Sequence, residues 1–321
     1  MAPVERIIET NGIRLRAMVE GTGPLVLMVH GFPESWYSWR WQIGPIAAAG
    51  FTACAIDVRG YGGSDKPLPV EAYAMDALVA DIAGVIDAFG EGPAVLIGHD
   101  WGAPQVWTTA LARPDLVRAV AGLSVPYTGP APAPFIDLVT EAFTKKGRFF
   151  YQVYFQDEGV AEAELEADPR ASLRKFLYAI SGDAPDGTWP IDKVHGDNLL
   201  HRLPDPAPFP AWLSKADEDF YVAEFLRSGF RGPLNRYRNH RRDFAYARTL
   251  ADPVIRQSAL FIGGTRDLVL KMLPGIDPVA LMAPHFADLR GAHLLDGCGH
   301  WTQQERPAEV TRLLLDWLRT L

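Results

Sequence analysis

The chain alternates between two hydrophobic periods. Residues 24–29, Pro-Leu-Val-Leu-Met-Val, form an apolar run that ends at His30-Gly31. Uninterrupted runs of this kind belong to strands buried on both faces. Residues 51–58 and 94–98 repeat the pattern, and 118–125 form a further short strand candidate. Upstream, 6–10 and 13–18 flank Asn11-Gly12, a pair that tolerates positive φ and predicts a tight hairpin. Between the runs the period lengthens. Leu78, Val79, Ile82, Val85, Ile86 and Phe89 fall on one face of a helix over 77–89. Alternating strand and helix predicts a parallel sheet covered by helices.

The rhythm stops after Pro126. Residues 127–246 are rich in Pro, Phe, Tyr, Trp and charge, with helical rather than strand spacing. Strand-like runs resume at 258–263 and, more weakly, at 289–295; 307–321 closes the chain as an amphipathic helix. The predicted organisation is one α/β core, residues 1–126 and 247–321, interrupted by a helical cap at 127–246 that fits a lid.

Composition narrows the class. With 321 residues, 48% of them hydrophobic and 22% charged, the chain has the make-up of a soluble globular protein with a large core. A net charge of −8 without a dense basic patch leaves no footprint for nucleic acid. The N-terminus has no signal-peptide pattern and no apolar run is long enough to span a bilayer, so a cytoplasmic enzyme of small-molecule metabolism is expected. Cys54 and Cys298 lie far apart in apolar or Gly-rich surroundings, which predicts buried free thiols. The histidines show no ligand spacing, so no metal is expected.

Three strand ends carry candidate chemistry. Ile97-Gly98-His99-Asp100-Trp101-Gly102-Ala103 has the small-residue frame of a nucleophile elbow, with aspartate where serine is usual. Asp267 follows the strand at 258–263, and His300 lies between the last strand and the last helix. Alone, Asp100 fits a loop, Asp267 a helix cap and His300 a structural histidine. Together they reproduce the nucleophile–acid–histidine order of the α/β-hydrolase arrangement. His30-Gly31-Phe32-Pro33 also follows a strand, so the N–H groups of Phe32 and Trp101 are candidates for an oxyanion hole. His30 and His99 read as structural neighbours.

An aspartate in that place restricts the reaction. A serine attacking saturated carbon leaves an ether, which water activated by histidine does not readily cleave. A carboxylate leaves an alkyl ester, whose carbonyl such water and an oxyanion hole can process. The carboxylate needs no base for its attack, so His300, oriented by Asp267, is free to serve the second step. The leaving group stays open on these residues alone: an epoxide oxygen, or a halide.

The insertion bears on that choice. "HGFPESWYSWRWQ", "DVRGYGGSDKP", "GHDWG" and "DGCGHWTQ" in the core, with "FFYQVYFQDEGVAEAELE" at 149–166 and "SGFRGPLNRYRN" at 228–239, resemble the α/β-hydrolase-fold epoxide hydrolases of the soluble type over essentially the whole chain. The resemblance implies a small-molecule epoxide substrate, a vicinal diol product and no cofactor. It implies that Tyr151 and Tyr237 donate to the epoxide oxygen, with Tyr154 the nearest competitor for the first role. It also implies a cis peptide before Pro33. Trp101, Phe149, Gln152 and Phe155 are candidate pocket walls, and Arg236, Arg238, Arg241 and Arg242 read as a solvated lid face. Two-domain mammalian relatives carry a further N-terminal phosphatase; the chain begins at the hydrolase part, so that activity is not expected. A haloalkane or haloacid dehalogenase with the same aspartate is the alternative, and a non-hydrolysing binding protein a more distant one. A monomer or homodimer is expected, without nucleic-acid or membrane partners.

Overall fold

The computed structural model describes residues 2–90, 92–272, 275 and 277–321. Eight strands form one sheet: β1 (Val4–Thr10), β2 (Ile13–Glu20), β3 (Leu25–Val29), β4 (Thr52–Ile56), β5 (Ala94–His99), β6 (Val117–Leu123), β7 (Ile255–Gly264) and β8 (Phe286–Leu295). Their order is β1-β2-β4-β3-β5-β6-β7-β8. β2 runs antiparallel to β1 and β4, and every other pairing is parallel. Asn11 and Gly12 take φ values of 47° and 74°, as the two-residue hairpin requires.

The uninterrupted run at β3 is buried at every position, and its side chains alternate between two cores. Leu25, Leu27 and Val29 join one cluster with helices Met75–Phe89 and Gly102–Ala112. Val26 and Met28 join the other with helices Ile43–Ala48 and Pro307–Leu318. Helices on both faces are what an apolar run with period two demands. β8 is longer than its apolar signal because it is an edge strand. Most of its positions are at least partly exposed, and the polar Asp288, Arg290 and His293 are among them.

Between β6 and β7 the chain leaves the sheet. Helices at Phe135–Ala142, Tyr151–Tyr154, Val160–Ala167, Pro169–Ala179, Lys215–Ser228, Arg231–Tyr237 and His240–Ala247 cross the end of the sheet where the loops carrying Phe32, Asp100 and His300 emerge. The expected helical spacing breaks down over 180–214, which has no helix or strand and contains Pro185, Pro190, Pro204, Pro206, Pro208 and Pro210. Phe155, Leu165, Leu173, Phe176 and Tyr237 share the apolar cluster of the sheet face, so this layer is continuous with the core beneath.

Buried polar bonds tie helix Lys215–Ser228 down as well. Arg16 on β2 donates to Asp57 Oδ2 at 2.6 Å and pairs with Glu224 of the helix. Arg40 lies 3.1 Å from Asp217, whose carboxylate also accepts from Tyr37 Oη at 2.9 Å. The positions read as a solvated arginine face divide in two. Arg241 is exposed, but Arg236 is 4% exposed and the Arg238 side chain is equally buried against Glu162. Each has a carboxylate partner within the fold, which sequence spacing does not disclose.

Candidate active site

β5 and helix Gly102–Ala112 meet at Asp100, whose φ of 49° is left-handed. A non-glycine residue held there is strained, and such strain concentrates at functional turns. Glycine is required on both sides. A Cβ on Gly98 would collide with the Gly102 carbonyl, and one on Gly102 with the Val29 carbonyl. One on Gly31 would overlap the Asp100 side chain itself. The elbow therefore packs the end of β3 directly against the carboxylate.

The two oxygens of Asp100 have different neighbours. Phe32 N–H donates to Oδ1 at 2.8 Å, while Oδ2 lies 3.3 Å from His300 Nε2. The other ring nitrogen of His300, Nδ1, lies 3.0 and 3.1 Å from the Asp267 oxygens. Asp267 is fully buried and accepts from Val269 N–H at 2.8 Å, which orients its carboxylate. Burial acts against charge on both Asp100 and His300, but each is overruled. The His300 ring and the Phe32 N–H hold the Asp100 carboxyl below its ordinary pKa. Burial likewise acts to lower the His300 pKa, yet Asp267 and Asp100 together raise it well above 6.5. The two carboxylates on either side thus favour the protonated ring.

A further set of residues fixes His300 from behind; of these, sequence reasoning read only His99 as structural and missed the rest. The His300 carbonyl accepts from Ser124 Oγ at 2.7 Å and lies 2.8 Å from His99 Nε2. His99 Nδ1 is 2.7 Å from Glu34, which also accepts from Gly31 N–H, Gln303 and Gln304. Burial acts to raise the Glu34 pKa, and the His99 ring, then His30 and the Gly31 N–H, outweigh it, so it stays below its ordinary value. Glu34 and Gln303 stand in the quoted motifs and Gln304 directly follows one, but only folding joins segments nearly 270 positions apart. His30 is structural: its Nδ1 faces the Gly31 carbonyl and its Nε2 accepts from Val58 N–H.

Above Asp100 stand the tyrosines. Tyr151 and Tyr237 have ring centroids 6.0 Å apart, and Gln152 Nε2 donates to the Tyr151 hydroxyl at 2.8 Å. Burial first, and the Asp100 carboxylate among the further causes, push both phenol pKa values up, so both hydroxyls keep their protons. Tyr154 is committed elsewhere. Its hydroxyl donates to Glu164, which also holds Leu199 and Leu200 N–H groups. The Phe32–Pro33 peptide is cis.

Two cavities meet at Asp100 and Tyr151. The larger, about 630 Å³, runs past Trp101 and Gln152. The smaller, about 270 Å³, is lined by Phe32, Phe149, Tyr237 and His300. Phe149 and Gln152 thus do line space beside Asp100. Phe155, predicted as a third wall, is fully buried behind Phe32 and Tyr237 at ring distances of 5.8 and 4.9 Å. It supports the wall from outside. Helical spacing placed it one turn after Tyr151 without showing which layer it faces. Among the described residues, no group of three or more His, Cys, Asp or Glu could hold a metal ion. Cys54 and Cys298 are buried free thiols.

Comparison with known proteins decides the family. Residues 24–205 match the alpha/beta hydrolase fold family. Epoxide hydrolase A of Mycobacterium tuberculosis is 42% identical over all of this chain and 98% of that protein. The chain belongs to the α/β-hydrolase-fold epoxide hydrolases. An epoxide hydrolase from an endophytic Streptomyces, 45% identical, superposes with a TM-score of 0.94 over 99% of this chain and 96% of that one. Bifunctional epoxide hydrolase 2 of Sus scrofa is 39% identical over 96% of this chain, which spans 54% of that protein. Each of these relatives is an epoxide hydrolase, which favours that reading over the dehalogenase alternative.

Proposed function

We propose that this epoxide hydrolase opens an epoxide in two steps, with Asp100 as nucleophile and the tyrosines as acid. The observation that carries the reading is one cavity bordered by Asp100, His300, Phe32, Tyr151 and Tyr237. The epoxide oxygen lies between the two phenols while Asp100 Oδ2 attacks a ring carbon. Oδ1 becomes the ester carbonyl oxygen and keeps its bond to Phe32 N–H. As the C–O bond of the ring breaks, a tyrosine delivers its proton to the alkoxide.

Esterification changes His300. Asp100 loses its negative charge, so one of the two carboxylates that hold the imidazole protonated disappears and its pKa falls. The ring sheds its proton, which restores the phenol directly or through solvent, and becomes the base for water. Asp267 continues to orient it and stabilises the imidazolium formed as it takes a proton from that water. Hydroxide adds to the ester carbonyl, and Phe32 N–H, joined by the Trp101 N–H, holds the oxyanion. Collapse releases the diol and regenerates Asp100, which gains one oxygen from water. We place residues 127–246 as the cap, and the activity in the cytoplasm, where free buried thiols persist. No helix of the described residues is long and apolar enough to cross a membrane.

A single turnover in heavy-oxygen water, with enzyme in excess over styrene oxide, tests the ester. Diol carrying light oxygen from Asp100 is the expected product. Diol labelled fully from solvent would show direct water attack and overturn the covalent route.

A further inference from the structure

The lining of the larger cavity is mixed. Leu111, Val125, Ala133 and Leu270 make part of it apolar. Beside Trp101, Arg236 from helix Arg231–Tyr237 and His240 and Asp243 from helix His240–Ala247 come together in the lining. Arg236 stacks on the Trp101 indole at 4.5 Å, donates to the Tyr73 carbonyl at 2.8 Å and pairs with Asp243. The His240 ring lies 5.8 Å from the same indole. Polar atoms therefore border the chamber next to the residue that follows the nucleophile.

The Arg236–His240–Asp243 group is polar without being charged overall. The charges of Arg236 and Asp243 cancel, and His240 is neutral because burial, then Arg236 and Arg241, push its pKa down to about 3. Of the neighbouring cations, Arg241 pairs with Asp137, and Arg248 lines the cavity from an exposed position over Phe244. This polar wall is also not fully satisfied. Arg236 Nε and His240 Nε2 are buried without a partner in the protein. The Asp243 side chain keeps 16% of its surface open and accepts from Met75 N–H at 2.8 Å, leaving lone pairs for another donor. A chamber built only to hold an aliphatic chain gains nothing from such a face, since unpaired buried polar groups are destabilising.

We propose that the larger chamber selects epoxides whose arm carries a hydroxyl group, with Asp243 accepting from that hydroxyl and the Arg236–His240 side donating to it. A neutral group that both donates and accepts matches a wall of cancelling charge better than a carboxylate or an ammonium does. The inference rests on the epoxide hydrolase reading and names the substrate class within it.

The test compares kcat/KM for 1,2-epoxyoctane with that for its positional hydroxy derivatives, by diol formation. An unrecognised hydroxyl entering an apolar chamber loses its hydration and lowers kcat/KM at every position. The wall predicts one position at which the hydroxyl raises kcat/KM by about tenfold, the equivalent of one well-made hydrogen bond. In His240→Phe and, separately, Asp243→Asn, that preference should fall below about threefold. The readout is a ratio within each variant, so a general loss of activity leaves it interpretable, and His240→Phe carries the test if Asp243→Asn does not fold. A wild-type enzyme that disfavours every hydroxy derivative overturns the proposal, as does a preference that survives both substitutions. Absence of diol from 1,2-epoxyoctane itself would instead overturn the epoxide hydrolase reading beneath it.

Discussion

On its core side Asp100 meets backbone and charge: the Phe32 N–H, a strained elbow framed by glycines, and an imidazole clamped to Asp267. On its lid side it faces the side chains of Tyr151 and Tyr237, neutral phenols carried by helices that the sheet does not contain. The core side is organised by strand ends, where parallel pairing fixes each loop to its neighbour. The lid side is organised by aromatic packing and by a few buried ion pairs. The difference teaches a division of labour. In the proposed route the groups that change charge between the two steps sit on the rigid scaffold, while the proton needed once, at ring opening, comes from a layer added above it.

The comparison breaks first at the core. Asp100→Ala should lower kcat/KM by roughly 10⁴-fold or more, because no group remains to form the ester. His300→Gln should allow ring opening and then stop, so intact mass spectrometry should find enzyme enlarged by one substrate. Normal steady-state turnover in His300→Gln would remove the core side from the hydrolytic step.

On the lid side, Tyr151→Phe and Tyr237→Phe should each slow ester formation by about 10- to 100-fold, and the double variant by about 10³-fold. Rapid-quench measurement of the first step separates this from ester hydrolysis, which should change little. A double variant impaired only in the second step would reverse the assignment of the two sides.

The joint between the layers can be probed by stability. Glu224→Ala leaves Arg16 buried with Asp57 as its remaining carboxylate partner and should destabilise the fold by about 2 kcal/mol, read by urea denaturation. A change below about 1 kcal/mol would mean that apolar contact alone holds the lid.

The finest test concerns His300. Its folded pKa is raised, so its contribution to stability is complete below about 6.5, the unfolded value, and is lost as pH rises through the folded one. Asp100→Ala should move the His300 titration, followed by NMR of the ring nitrogens, towards lower pH. An unmoved midpoint would break the claim that esterification frees His300 to act as a base.

Much of the core could be read from sequence because its signals are local. The run at β3, the Asn11-Gly12 turn and the Gly98–Gly102 contact at the elbow each act over a few residues, and the fold places them as read. Tyr151 and Tyr237 were legible only through resemblance, since no period distinguishes a phenol that faces a cavity from Tyr154, which binds Glu164. Phe155 was put on the wrong layer for the same reason. Arg236 and Arg238 look like surface residues until the distant segments that bury them are in place. β8 was half hidden because an edge strand tolerates polar residues.

By itself the sequence determined the period of each element, the order nucleophile, acid, histidine, and the chemistry open to an aspartate at an elbow. Tertiary structure alone decided which oxygen of Asp100 faces His300, that Glu34 and Ser124 brace the loop holding that ring, and that the larger chamber has a polar wall. The physical reason is range. Hydrophobic period and turn geometry act between neighbours in the chain, whereas burial, ion pairing and cavity shape depend on segments brought together only once the sheet and its lid have closed.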